Sequence, residues 1–139
     1  MQQDLAGRYA LVTGAGAGIG KATALTLAAR GAIVGVNDLR DELVTGTVEA
    51  VVATGGHAFP VVKNVSTRQG VTEAVNTVCE KGGRFDILIN NAAWVRYQPV
   101  QDIAPETMRH QSKAFEQTCI YYFRGRLDGW KIQKACTIA

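Results

Sequence analysis

The stretch Tyr9-Ala-Leu-Val-Thr-Gly-Ala-Gly-Ala-Gly-Ile-Gly-Lys21 decides how the rest of the chain is interpreted. It begins as an apolar, strand-like segment and continues into an alanine-rich, helix-like segment, so its glycines lie where a strand turns into a helix. Such a turn leaves the first backbone N–H groups of the helix without partners, at the positive end of the helix dipole. The stretch therefore predicts a phosphate-binding turn, with a merely flexible glycine turn as the alternative.

A second apolar run, Ala32-Ile-Val-Gly-Val36, is followed closely by an acid, Asp38. A carboxylate at the end of a second parallel strand can accept hydrogen bonds from both hydroxyls of an adenosine ribose, and its charge repels a ribose phosphate. Asp38 therefore favours NAD over NADP. The nearby cations Arg40 and Lys21 would attract the ribose phosphate of NADP, so NADP stays open as a cofactor. The alternative role of Asp38 is that of a helix N-cap or turn residue.

Three segments resemble the short-chain dehydrogenase/reductase family. Thr13-Gly-Ala-Gly-Ala-Gly-Ile-Gly20 matches the family pattern Thr-Gly-x-x-x-Gly-x-Gly, and Asn90-Asn-Ala-Ala93 is similar to the Asn-Asn-Ala-Gly element after the fourth strand. Between them, Lys63-Asn64-Val65 resembles the Asp-Val pair at the adenine pocket, with Asn64 in place of aspartate. An amide can still hydrogen-bond an adenine edge, and Ala93 in place of glycine costs little where φ is negative.

The resemblance implies an oxidoreductase that binds NAD and acts on an alcohol or a ketone. It also implies which residues contact the dinucleotide cofactor: Gly14, Ala17, Gly18, Ile19, Gly20, Asp38, Leu39, Asn64, Val65, Asn90 and Ala92.

The hydrophobic pattern predicts alternating strands and helices joined by short connections. The predicted strands are Tyr9–Val12, Ala32–Asn37, His57–Val62 and Asp86–Ile89, and the predicted helices are Ile19–Arg30, Glu42–Thr54 and Arg68–Lys81. Right-handed crossovers between parallel strands then give the strand order 3-2-1-4. The fold class is α/β, a doubly wound parallel sheet of the Rossmann type.

The catalytic part of the family pattern is missing from this sequence. In the family, a tyrosine whose pKa is lowered by a lysine four residues on exchanges a proton with the substrate oxygen, and a serine orients that oxygen. None of the 4 tyrosines has a lysine at that spacing. Spacing from Glu106 places the family's catalytic asparagine at Phe115, so we identify no catalytic residue in this chain.

The resemblance extends over residues 1–111, which we interpret as an NAD-binding half-domain. Residues 112–139 show no family pattern and are interpreted as a divergent tail, out of frame or from an alternative exon. Because a doubly wound sheet needs strands beyond its fourth, we expect the sheet to be incomplete on the carboxyl-terminal side. Cys119-Ile-Tyr-Tyr-Phe123 has the β-propensity of a substitute fifth strand, and a poorly ordered, aggregation-prone tail is the alternative.

Composition excludes several function classes. A net charge of +3, dispersed along 139 residues, does not indicate a nucleic-acid partner. The first residues lack a signal-peptide pattern and no apolar run approaches the roughly 20 residues of a membrane span, so we expect a cytoplasmic protein with no membrane partner. Cys79, Cys119 and Cys136 lack metal-ligand spacing, and we predict reduced thiols and no metal site.

Three hypotheses about function remain open at this point. The chain is an NAD-dependent oxidoreductase, a nucleotide-binding module without catalysis, or a nonfunctional truncation product. A non-catalytic module would act in regulation or by pairing, as a homo-oligomer or with a full-length relative.

Overall fold

The computed structural model describes residues 2–113 and, as backbone alone, residues 136–138. Its strands are β1 (Tyr9–Val12), β2 (Ile33–Asp38), β3 (His57–Val62), β4 (Ile87–Ile89) and β5 (Cys136–Ile138). Its helices are α1 (Gly18–Ala29), α2 (Asp41–Ala53), α3 (Arg68–Gly82) and α4, whose described part is 105–113, with one 3-10 turn at Val100–Asp102. The four predicted strands and three predicted helices within residues 9–89 are present, with boundaries shifted by one residue at most.

All five strands lie parallel in one sheet, in the order β3-β2-β1-β4-β5. The predicted order 3-2-1-4 and the fold class, a doubly wound α/β sheet, are therefore confirmed. After β3 the chain crosses back over β2 and β1 to β4, so the connection through α3 lies on the opposite face from α1 and α2. This reversal leaves a crevice above the carboxyl ends of β1 and β4, where open α/β sheets bind ligands.

Helices cover both faces of the sheet, and alternate residues of each strand are buried against them. On one face, α1 and α2 pack against Ala10, Val12, Val34, Val36, Ile87 and Ile89. On the other face, α3 packs against Leu11, Phe59, Val61 and Leu88. β1, β2 and β4 are thus buried on both sides for most of their length, whereas the edge strand β3 alternates between buried and exposed residues.

The fifth strand comes from a different segment than the sequence suggested. Cys136–Ile138 pairs in parallel with β4, with Leu88 opposite Thr137. The segment 119–123, which we predicted as a substitute fifth strand, lies outside the described residues. In the described structure the far side of β4 is therefore occupied by a strand near the end of the chain.

A buried carboxylate joins the amino ends of β1 and β4. The side chain of Asp86, 2% exposed, accepts hydrogen bonds from the backbone N–H of Tyr9 at 2.9 Å, from Arg84 at 2.7 and 2.5 Å, and from Arg8 at 3.2 Å. Burial alone would raise the pKa of Asp86, but the hydrogen bonds from Arg84, Tyr9 and Arg8 outweigh it and lower this pKa below its ordinary value.

We expect Asp86→Asn to lower the free energy of unfolding at pH 7 by roughly 1–3 kcal/mol, because an amide cannot satisfy the two arginines and the Tyr9 N–H together. A lowered folded-state pKa means that this stabilisation is complete above the unfolded-state pKa, about 4, and is lost as the pH falls through the folded-state pKa. Urea denaturation at pH 7 and pH 3 measures both effects, and the difference in unfolding free energy between the two proteins should be smaller at the lower pH. Asp102→Asn, on an exposed turn, is the control; an equal loss in both variants would contradict the prediction.

Candidate functional site

A cleft of about 660 Å³ opens at the carboxyl ends of the strands. It is within the usual size range of a ligand pocket, roughly 300–1,000 Å³. The turns after β1, β2, β3 and β4 all contribute to its walls, together with one residue of α4. These lining residues are Gly14, Ala17, Asn37, Asp38, Leu39, Arg40, Lys63, Asn64, Val65, Ser66, Asn91, Ala92, Ala93, Trp94 and His110.

The amino end of α1 is uncapped beside this cleft. Its first intrahelical bond runs from the N–H of Lys21 to the carbonyl of Ala17 at 3.1 Å, and the N-cap residue Ala17 supplies no side-chain acceptor. The N–H groups of Gly18, Ile19 and Gly20 therefore have no acceptor within the helix, and the first turn carries no acidic side chain. An anion is the ligand that such a helix end stabilises.

The turn that leads into α1 depends on glycine. Gly14 and Gly18 have φ values of +63° and +54°, which side chains rarely adopt. A Cβ on Gly16 would lie 2.7 Å from Oδ2 of Asp38. Thr47 of α2 holds the turn from the outside by donating a hydrogen bond to the carbonyl of Ala15 at 3.1 Å.

Thr13 and Asn91 tie the glycine turn to the segment after β4. The buried Thr13 hydroxyl accepts hydrogen bonds from the backbone N–H groups of Asn91 at 3.1 Å and Ala92 at 3.0 Å. In return, the side-chain amide of Asn91 donates to the carbonyls of Thr13 at 3.1 Å and Gly14 at 3.0 Å. This reciprocal set of bonds fixes the two walls of the cleft relative to each other.

Asp38 links the end of β2 to the glycine turn. Its Oδ2 accepts from the backbone N–H of Gly16 at 3.2 Å, and its Oδ1 accepts from that of Leu39 at 2.8 Å. The Asp38 side chain thus accepts backbone hydrogen bonds in these turns, but it is not the N-cap of α2, which is Arg40. The Arg40 side chain is 64% exposed, and its Nε lies 4.0 Å from Oδ1 of Asp38. A negative and a positive group therefore stand side by side at this rim.

The turn after β3 is held by Asn64. Its Oδ1 accepts hydrogen bonds from the backbone N–H of Ser66 at 3.0 Å and from the Ser66 hydroxyl at 2.7 Å. Its backbone carbonyl accepts from the N–H of Thr67 at 3.2 Å and the Thr67 hydroxyl at 3.0 Å. The same Thr67 hydroxyl caps α3 by accepting from the Gly70 N–H at 3.1 Å. Asn64 is thereby locked onto the start of α3.

Two aromatic rings close the end of the cleft above β4. Trp94, 44% exposed, meets the ring of His110 edge to face, with the centroids 4.4 Å apart and the planes at 87°. Within residues 2–113 no non-glycine residue has a positive φ, so alanine at position 93 is accommodated without strain.

The structure brings most of the sequence-predicted cofactor contacts to this cleft. Seven of them line it: Gly14, Ala17, Asp38, Leu39, Asn64, Val65 and Ala92. Gly18, Ile19 and Gly20 form the adjoining first turn of α1, and Asn90 follows β4 without lining the cleft. Phe115, the expected position of the catalytic asparagine, lies outside the described residues.

Several lining residues were not predicted from the sequence, including Asn91 and His110, whereas Trp94 was expected near the nicotinamide end of the cleft and does line it. For Asn91 the signal was present, because it is the second member of the Asn-Asn pair. The contact between Trp94 and His110 joins residues far apart in sequence and has no local signature.

The described part of the chain shows neither a metal-binding cluster nor a membrane-spanning helix. Among residues 2–113 and 136–138, no group of three or more His, Cys, Asp or Glu side chains is arranged to hold a metal ion. No helix in those same ranges is long and apolar enough to cross a membrane.

Comparison with known proteins agrees with the fold and with the sequence motifs. The short chain dehydrogenase family matches residues 8–118. A short-chain dehydrogenase/reductase homolog, YusS, from Bacillus subtilis is 42% identical over 101 residues, which are 72% of this chain and 93% of that protein. The 1-cyclohexenylcarbonyl-CoA reductase of Streptomyces collinus is 40% identical over 107 residues, 75% of this chain but 38% of that enzyme.

A short chain dehydrogenase from Mycobacterium avium has a similar crystal structure, with a TM-score of 0.82 and 30% identity. The match covers 96% of this chain and 54% of that one, so the chain spans about half the length of this solved relative. Fold, motifs and sequence identity agree, and the chain belongs to the short-chain dehydrogenase/reductase family of oxidoreductases.

Proposed function

We propose that the chain binds NAD in the cleft, as the nucleotide-binding part of an oxidoreductase that acts on an alcohol or a ketone. The observation that carries this proposal is that the uncapped start of α1 and the carboxylate of Asp38 border one cleft of about 660 Å³. A group with two phosphates and a ribose diol complements that pair of features.

The strand order determines how a dinucleotide would be held. The start of α1, after β1, holds the pyrophosphate, and Asp38, at the end of β2, accepts from the adenosine ribose. The base then lies beyond Asp38, against Asn64 and Val65 after β3. Bound in this way, the cofactor would supply a nicotinamide that accepts or donates hydride beside Ala92, after β4.

The chain's own groups favour NAD over NADP in this arrangement. A carboxylate has about four acceptor sites, and the bonds from the backbone N–H groups of Gly16, Leu39 and Arg40 leave the second site of Oδ2 for a ribose hydroxyl. The Asp38 charge opposes a phosphate on that ribose, whereas Arg40 on the rim offsets part of this repulsion.

We expect Asp38→Ala to weaken NAD binding by roughly 1–3 kcal/mol, because charge-assisted hydrogen bonds to the ribose are lost. The variant should also narrow the gap in affinity between NAD and NADP. Calorimetric titration of the parent and the variant with both dinucleotides measures these effects. Asp41→Ala, which removes the same charge from the first turn of α2 outside the lining, is the control.

Two outcomes would contradict the assignment of Asp38. Equal affinity of the parent chain for NAD and NADP would remove its role in selecting the cofactor. Unchanged NAD affinity in Asp38→Ala would leave it a turn residue alone.

A nucleotide-binding module without catalysis is the second candidate, and the missing Tyr-x-x-x-Lys spacing favours it. In that case the chain acts by pairing, with a second copy or with a full-length relative. Size-exclusion chromatography with light scattering, with and without NAD, tests self-pairing. A cytoplasmic location and the interpretation of residues 112–139 as a divergent tail stay predictions.

A further inference from the structure

We propose that Ser66 selects adenine at the base end of the cleft, by accepting a hydrogen bond from the 6-amino group of the base on its hydroxyl oxygen. The inference rests on the proposed binding of a dinucleotide, and it adds a residue that the sequence motifs do not assign to the cofactor. It explains how this end can bind adenine with Asn64 where the family pattern has a carboxylate.

Hydrogen bonding determines which way the Asn64 amide faces. The backbone N–H of Ser66 can only donate, so the atom 3.0 Å from it is the amide oxygen, Oδ1. The Ser66 hydroxyl donates to the same oxygen at 2.7 Å, because an amide oxygen can only accept. These two bonds fill both acceptor sites of the oxygen, so Asn64 cannot itself accept from an adenine amino group.

A donor and an acceptor are left next to each other on the wall of the cleft, which both residues line. Within residues 2–113 the Asn64 amide nitrogen donates to no protein group, and the Ser66 oxygen, whose proton points to Asn64, accepts from none. The ammonium of Lys63, at the same end, is paired with Glu73 at 2.7 Å. Asn64 therefore presents a donor to the base, and Ser66 presents an acceptor.

Adenine carries the complementary pair of groups. Its 6-amino group donates, and a neighbouring ring nitrogen such as N7 accepts. The amino group can therefore donate to the Ser66 oxygen while the ring nitrogen accepts from the Asn64 amide. Hypoxanthine places an oxygen acceptor where adenine has the amino group. Ser66 could donate to that oxygen only by giving up its bond to Asn64.

The test compares NAD with nicotinamide hypoxanthine dinucleotide, in which oxygen replaces the 6-amino group. Calorimetric titration of the full chain should give a Kd for NAD that is roughly five- to hundredfold lower, because the hypoxanthine form leaves the Ser66 oxygen without a donor. In Ser66→Ala the ratio of the two Kd values should fall by about fivefold or more, since NAD loses a partner and the hypoxanthine form does not. A serine that only supported the turn would affect both dinucleotides alike.

Two variants of Asn64 test whether the amide fixes the serine proton. In Asn64→Ala the hydroxyl is free to rotate and can donate to the hypoxanthine oxygen, so the ratio should fall here as well. In Asn64→Asp the carboxylate still accepts from the N–H and the hydroxyl of Ser66, so the preference for NAD should be kept.

Ser112→Ala is the matched control for Ser66→Ala. It also removes a serine hydroxyl, which donates to the carbonyl of Arg109 in the exposed part of α4, outside the cleft lining. Both Kd values should stay at those of the parent chain.

The outcomes separate this inference from the proposed function. If neither dinucleotide binds, the proposed function fails, and the inference fails with it. If NAD binds but the hypoxanthine form binds equally well or better, or if Ser66→Ala leaves the ratio unchanged, Ser66 does not select the base while the dinucleotide site stands. Loss of the preference in Asn64→Asp would likewise show that a fixed serine proton is not its cause.

Discussion

Incubated with NAD and a panel of secondary alcohols, or with NADH and ketones, the purified chain is expected to show no turnover. General acid–base assistance is worth about a hundredfold to ten-thousandfold in rate, and the tyrosine–lysine spacing that supplies it is missing. Neither of the two tyrosines in the described structure is placed to supply the missing proton donor. Tyr9 begins β1 at the opposite end of the sheet and donates to the carbonyl of Lys81 at 3.4 Å, and Tyr97 is 95% exposed and outside the lining.

NADH absorbance at 340 nm is the readout, and NAD binding measured on the same sample shows whether the site is intact. Binding without turnover supports a non-catalytic module. Turnover that is abolished by Tyr121→Phe or Tyr122→Phe would overturn the prediction and identify a proton donor in the segment 112–139.

The second large effect is expected for Gly20→Ala. The added Cβ would lie 2.5 Å from Nδ2 of Asn91 and 2.9 Å from Cα of Ala15, and it would also overlap the carbonyl of Gly14. Two of these three neighbours are backbone, so the glycine turn itself must move. We expect the free energy of unfolding to fall by about 3 kcal/mol, the upper part of the usual range for overpacking, and NAD binding to be lost with the turn.

Gly46→Ala is a matched control for this substitution. Gly46 lies inside α2 and a Cβ there meets nothing within 4 Å. Alanine should therefore stabilise the chain by about 0.5–1 kcal/mol through helix propensity alone. Urea denaturation of the two variants should give shifts of opposite sign, and stabilisation by both would show that the turn has room at Gly20.

The sequence predicted the parts of the site that depend on local pattern. The glycine turn and the acid at the end of β2 each have a short signature, because one turn or one strand end determines their geometry. The alternation of strands and helices then determined the strand order and brought Asp38 and Asn64 to one edge of the sheet. Four of the five strands were predicted in this way.

Features made by contacts between distant residues could not be predicted. Trp94 and His110 meet only because α4 returns over the end of β4, and no local pattern records that return. The hydrogen bonds from Ser66 to the Asn64 oxygen are local, but only the structure shows that both residues lie on the wall of the cleft. The pairing of Cys136–Ile138 with β4 involves a segment without a hydrophobic run long enough to mark it as a strand.

The central position of β1 has a consequence for synthesis. β1 pairs with β2 on one side, but its partner on the other side is β4, where Ala10 meets Ile87. While the chain emerges from the ribosome, one edge of β1 stays open until residues 87–89 have followed, and an open apolar edge is a template for pairing with other chains. The bonds between Thr13 and Asn91 form only after that point, so the wall of the cleft beside β4 is built after the walls that follow β1, β2 and β3.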